Sequence, residues 1–173
     1  RQGGPEPGTR GDAQQVGIGQ GVAEHALVGR ARHSQARPHQ RAAHDDFVAM
    51  MKNFDGRLGP AVVHCFTGTR KELFDCLDQD WHIGITGWLC DERRGLHLRE
   101  LVKHIPPDRL MIETDAPYLL PRTVKPQPSH RRNEPMYLAH IVEELARDRG
   151  EEVVATAAAT TAAANAFFRL PIA

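Results

Sequence analysis

At 173 residues the chain can hold one domain with a real core, yet it is short for a closed (β/α)₈ barrel, which takes about 250 residues. Lys+Arg and Asp+Glu both number 22, so the formal net charge is zero; binding to nucleic acid through global charge is excluded and would need a local basic patch. No apolar run approaches the roughly 20 residues of a membrane span, and the first residues carry no apolar core of a secretory signal.

Cysteine usage points the same way. Cys65, Cys76 and Cys90 are odd in number and lack CxxC spacing, which argues against a disulfide framework and a structural zinc site. Reduced thiols in a cytoplasmic protein are the expectation.

In chain order, residues 1–38 are rich in Gly, Arg and Gln, contain no aromatic residue, and offer only 22–28 as a short helix. That composition buries too little apolar surface to offset chain entropy, so a poorly structured segment is expected, followed by a folded unit over 39–173. His44 to Phe54 reads as a helix, with Phe47, Met50, Met51 and Phe54 at three- and four-residue spacing, ended by Gly56 and Gly59-Pro60. Ala61 to Phe66 reads as a short buried strand. Thr69 is the expected N-cap of a helix over Arg70 to Asp78. Trp81 to Thr86 is the next strand. Asp91 to His104 is the next helix, with Leu96, Leu98, Leu101 and Val102 inward and Pro106-Pro107 as its stop. Arg109 to Thr114 is the third strand, and a proline-rich loop follows. Met136 to Arg149 is amphipathic and ends at Gly150. The alanine-rich stretch Val153 to Phe168 supplies one or two closing helices that dock through Phe167, Phe168 and Leu170. Strands alternating with helices of this length imply a parallel sheet with right-handed crossovers.

The chemistry-bearing residues fall where these strands end. His64 follows Ala61-Val62-Val63, and Asp115 follows Leu110-Met111-Ile112 by three residues. Metal-ligand residue types at the carboxyl ends of successive buried strands are how a (β/α) barrel builds an active site, which makes a metal-dependent hydrolase the leading reading. A neutral His64 imidazole there can ligate a metal; an isolated histidine is more often a hydrogen-bonded loop or core residue. An ionised Asp115 at a strand end is costly to desolvate unless paired or metal-bound, so it reads as a ligand or as the base for an attacking water. A helix N-cap or turn aspartate is the bland alternative. Glu113 shares a strand face with Asp115 and is either its supporting partner or a surface charge. Arg122, Arg131 and Arg132 lie in the loop after Asp115, where guanidinium groups can take phosphate oxygens bidentately or stay solvated. Trp88 and Tyr118 follow strand ends and suit either base stacking or packing under the loops. Asp91 to Gly95 reads as a charged helix start, with Arg93 and Arg94 as further phosphate candidates.

Taken together, His64-Cys65-Phe66-Thr67-Gly68-Thr69, Ile83-Gly84-Ile85-Thr86-Gly87-Trp88, Cys90-Asp91-Glu92-Arg93-Arg94-Gly95, Ile112-Glu113-Thr114-Asp115-Ala116-Pro117-Tyr118 and Arg131-Arg132-Asn133-Glu134-Pro135 stand in an order that resembles the TatD family of deoxyribonucleases. The resemblance runs from about residue 39 to the end. It implies a TIM-barrel hydrolase of the amidohydrolase type, 3′-to-5′ exonuclease action on single-stranded DNA or RNA, and a Mg²⁺ requirement; ligand preference alone would also suit Mn²⁺ or Zn²⁺. The family holds its metals with a His-x-His pair, a middle-strand glutamate, two later histidines and an aspartate. By resemblance Asp115 is that aspartate, His64 the later histidine, and His39, in His39-Gln40-Arg41-Ala42-Ala43-His44, the earlier one, although Ala42 replaces the family's usual acid.

The chain departs from the pattern upstream. It contains no His-x-His and no strand-end glutamate before His39, and residues 1–38 do not resemble the family. The expectation is therefore a partial barrel of at most four strands with open edges, as a truncated or frameshifted reading frame would give. Weak or absent nuclease activity is expected from a site reduced to His39, His64 and Asp115. Two other readings are a related barrel hydrolase of small amides or lactones, which has no need of the basic loop, and a non-catalytic remnant that binds nucleic acid or a protein partner.

Overall fold

The computed structural model describes residues 44–54 and 56–170. His39 and the segment 1–38 lie outside the described residues. Within them, the chain alternates as the periodicity requires: α1 (His44–Lys52), β1 (Val62–Val63), α2 (Arg70–Asp78), β2 (His82–Ile85), α3 (Leu96–Leu101), β3 (Leu110–Ile112), α4 (Leu138–Arg149) and α5 (Val153–Phe168). The three strands form one parallel sheet in the order β1-β2-β3. Three strands in sequential order, each returned by a helix, are a segment of the wall of a (β/α) barrel.

Register explains how the sheet is covered. Val62 pairs with His82, Val63 with Ile83, and Ile83 in turn with Leu110. Val63, Ile83, Ile85 and Leu110 share one core with Phe47, Leu73, Cys76, Leu98, Leu101 and Leu145 from the helices. The opposite face, Val62 and Met111, packs on Ala163 and Phe167 of α5. Each strand is thus buried on both sides, as its continuous apolar run predicts. The Phe167 ring also stands edge-on to His82, 4.8 Å between centroids.

Local chemistry sets the element ends. Thr69 caps α2 with a full capping box: its side chain accepts the Glu72 N–H while Glu72 reaches back to the Thr69 N–H. Gly150 closes α4 in the left-handed conformation, φ 70°. The Arg149 side chain, buried beside it, donates to the Val102 carbonyl and, at 2.9 Å, to that of Ile105, tying α4 to the end of the α3 segment. All three cysteines are buried thiols, and burial pushes Cys76 up to about 12 and Cys90 up to about 11.

Several boundaries differ from the sequence reading. The first strand is only Val62–Val63, because Cys65 turns the chain at φ 52° before Phe66 rejoins the sheet through the Gly84 carbonyl. Asp91 does not start a helix. It is buried in a turn, where its carboxylate accepts the Arg93 N–H and two N–H groups of Arg94, and α3 begins only at Leu96. Gly95 is needed there, since a Cβ would overlap the Trp88 carbonyl. Leu96 is 55% exposed rather than inward, because the helix starts on it and its face turns to solvent. The closing stretch is one helix whose buried stripe is Thr156, Thr160, Ala163 and Phe167, and Leu170 lies beyond its end, exposed. No helix of the described residues is long and apolar enough to cross a membrane.

Candidate metal and phosphodiester site

Parallel strands place their carboxyl ends on one edge of the sheet, and three side chains meet there. His64 leaves β1 in the turn that Cys65 makes. Glu113 and Asp115 leave β3, which extends one residue past Ile112 through the Glu113 N–H to the Ile85 carbonyl, 2.8 Å. The His64 imidazole bridges them: Nδ1 lies 2.6 Å from Glu113 Oε2 and Nε2 lies 2.9 Å from Asp115 Oδ1. All three side chains are largely buried.

The middle strand makes the arrangement possible. Glu113 crosses β2 at Gly84, where any Cβ would overlap its carboxylate. The same carboxylate accepts the backbone N–H of Cys65 at 3.0 Å, so Glu113 holds both the ring and the backbone of the β1 turn. Glu113 is therefore largely buried and bonded to His64 rather than a free surface charge. Thr86, at the end of β2, is within 3.3 Å of the Cys65 thiol and accepts the Trp88 N–H.

The electrostatics follow from the geometry. Hydrogen bonds to Asp115 and then Glu113 raise His64 from 6.5 to about 9, against the opposing effect of burial. At neutral pH the ring is an imidazolium between two carboxylates. The nitrogen facing Asp115 then carries a proton. His64 Nε2 and Asp115 are a neighbouring nitrogen–oxygen donor pair of the kind that suits a divalent metal, with Nδ1 fixed by a carboxylate as ligating histidines usually are. They are two donors; among the described residues no group of three or more His, Cys, Asp or Glu side chains is arranged to hold a metal.

The remaining predicted residues distribute around this group. Tyr118 is 74% exposed in the loop just after Asp115. Arg122, Arg131 and Arg132 are exposed farther along the same loop, and Arg132 Nε stands 3.8 Å from Glu134. Trp88 is half-buried, and the Arg94 guanidinium lies 4.2 Å from its ring centroid. Arg94 is thus committed to Trp88 and Asp91 rather than reaching out for phosphate. The sequence motifs contain Gly84 and Asn133 without a role assigned to either. Asn133 is 1% exposed and hydrogen-bonds the turn that carries Asp115. A polar residue inside an exposed arginine loop was the available signal.

Comparison with known proteins places the sequence and the fold in one family. The family model described as TatD related DNase matches residues 36–169. The chain is 54% identical over 134 residues to the 3′-5′ ssDNA/RNA exonuclease TatD of Citrobacter rodentium, covering 78% of this chain and 51% of that protein. It is 57% identical over 133 residues to the protein of the same name from Erwinia billingiae, covering 77% and 51%. The chain spans about half the length of the curated relatives it matches. Among solved structures it superposes on YJJV, a TatD homolog from Escherichia coli K12, with a TM-score of 0.65 and 28% identity over 77% of this chain and 49% of that one. A TatD family hydrolase from Entamoeba histolytica has the same fold, at a TM-score of 0.64, 24% identity, and 77% and 50% coverage. Matched across most of its length, the chain belongs to the TatD related DNase family.

Proposed function

We propose that this chain carries the His64–Asp115 part of the active site of a metal-dependent phosphodiester hydrolase acting 3′-to-5′ on single-stranded DNA or RNA. The observation that carries the reading is the convergence of His64, Glu113 and Asp115 at the carboxyl ends of parallel strands, in a chain whose relatives are named for that activity. His64 Nε2 and Asp115 are the residues that would hold the cation, with His39 as the expected third donor. Mg²⁺ is the reading from resemblance, and the imidazole donor also suits Mn²⁺ or Zn²⁺. A divalent cation there would supply Lewis acidity and neutralise charge building on the phosphodiester oxygens.

The chain's own residues have separable tasks. Glu113 accepts the Nδ1 proton of His64 and so leaves Nε2 as the donor nitrogen once its proton is lost. Asp115 accepts a proton from the attacking water. Arg122, Arg131 and Arg132 bind the phosphates, which a neutral amide or lactone would not require. Exposed Tyr118 offers a ring face to the terminal base; half-buried Trp88 is a second candidate ring. With two described donors, turnover is expected to be slow.

The test is degradation of an end-labelled single-stranded oligonucleotide with Mg²⁺, Mn²⁺ or chelator. Slow cleavage that requires metal and disappears in Asp115→Asn supports the proposal. Cleavage that survives chelator, or a folded sample that never cleaves, overturns it for this chain.

A further inference from the structure

The loop from Pro117 to Pro135 carries both ends of the proposed substrate site, yet its centre is organised by one residue to which no task has so far been given. Asn133 is 1% exposed in an otherwise exposed arginine-rich stretch. Its side-chain amide shares two N–H groups among the Tyr118 carbonyl at 2.7 Å, the Leu119 carbonyl at 3.3 Å and Thr114 Oγ1 at 3.2 Å. Its Oδ1 accepts the Glu134 N–H at 2.9 Å, and its own N–H donates to the Pro117 carbonyl at 2.9 Å. Every bond on one side reaches the turn that brackets Asp115. Thr114 Oγ1 also accepts the Ala116 N–H at 3.2 Å, and the Tyr118 N–H closes on the Asp115 carbonyl at 2.7 Å, so the turn is a single hydrogen-bonded unit. Asn133 itself directly follows Arg131 and Arg132. A buried amide with all its groups satisfied is rigid, and removing it takes away the side-chain donors that hold these carbonyls.

We propose that Asn133 is a positioning residue that locks the arginine loop to the Asp115 turn, so that metal binding at Asp115 and phosphate binding at Arg131 and Arg132 are energetically coupled. This rests on the hydrolase reading above. Without the clamp the two halves of the loop move independently, and a cation held on one side no longer orders the cations on the other.

The experiment measures affinity of the full chain for a fluorescent phosphorothioate oligothymidylate with and without Mn²⁺, and for Mn²⁺ with and without the oligonucleotide. The native chain should show reciprocal tightening on the order of tenfold. Asn133→Ala should reduce that factor to about one, with a larger loss in coupling than in either separate affinity. Thr114→Val, which removes the acceptor shared by the Asn133 amide and the Ala116 N–H, should lower the factor part way and guards against a misfolded Asn133 variant. Full native coupling in either folded variant overturns the proposal. Failure of the native chain to bind the oligonucleotide even with Mn²⁺ instead overturns the hydrolase reading, and this inference with it.

Discussion

His64 shows how three residues far apart in the chain set one another's charge. Its imidazole is bonded through both nitrogens to carboxylates, and this raises it from 6.5 to about 9. A histidine raised on folding stabilises the native state fully below its unfolded value, and the contribution fades as pH climbs through the folded value. In metal-free protein, unfolding free energy should therefore fall by on the order of 2–3 kcal/mol between pH 6 and pH 10 from this group. Denaturant titrations across that range should show the slope, and His64→Gln should flatten it. A second residue-scale prediction concerns Gly84. Since a Cβ there would overlap the Glu113 carboxylate, Gly84→Ala should cost about 1–3 kcal/mol by overpacking and should lower the His64 pKa, read by NMR titration of the ring. His64 and Asp115 were legible because each follows an apolar strand. The role of Glu113 was not, because it depends on the register of β3 against β2 and on the missing side chain at Gly84. Asn133 was hidden for a similar reason: the partners of its side-chain amide lie 14 to 19 residues away in a loop with no periodicity.

Elements were readable to the extent that their signals were local. Thr69 announced the start of α2 as its N-cap, and Gly150 announced the end of α4. The extent of β1 and the start of α3 were misjudged, since both depend on long-range or turn-specific bonds: the left-handed Cys65 and the Asp91 carboxylate. Arg149 is the clearest link between elements. Its guanidinium is buried against two carbonyls at the end of the α3 segment and pairs with Glu151 at 2.7 Å. Arg149→Ala should destabilise by about 2–3 kcal/mol, through the stranded carbonyls and the lost stem packing. Arg149→Lys should recover only part of that, because an ammonium cannot span both carbonyls and the carboxylate in a fixed fork. Thermal or denaturant unfolding of the three proteins measures the order.

At the scale of the molecule, a three-stranded parallel segment places histidine and carboxylates on one sheet edge and hangs a basic, aromatic loop beside them. The alternation of strands and helices, and hence the partial barrel, was visible in the periodicity. Docking of α5 through Phe167 was legible too; the part Ala163 plays in covering the second sheet face was not, because small residues carry little amphipathic signal. The central claim is that His64 and Asp115 form a metal-binding pair whose place is held by a proton in the metal-free chain. Titration calorimetry with Mn²⁺ at pH 7.5, in two buffers of different ionisation enthalpy, tests it most directly. Binding should release close to one proton, since His64 must give up the one on Nε2, and should be lost in Asp115→Asn. Mn²⁺ binding without proton release, or binding unchanged by Asp115→Asn, would contradict the account.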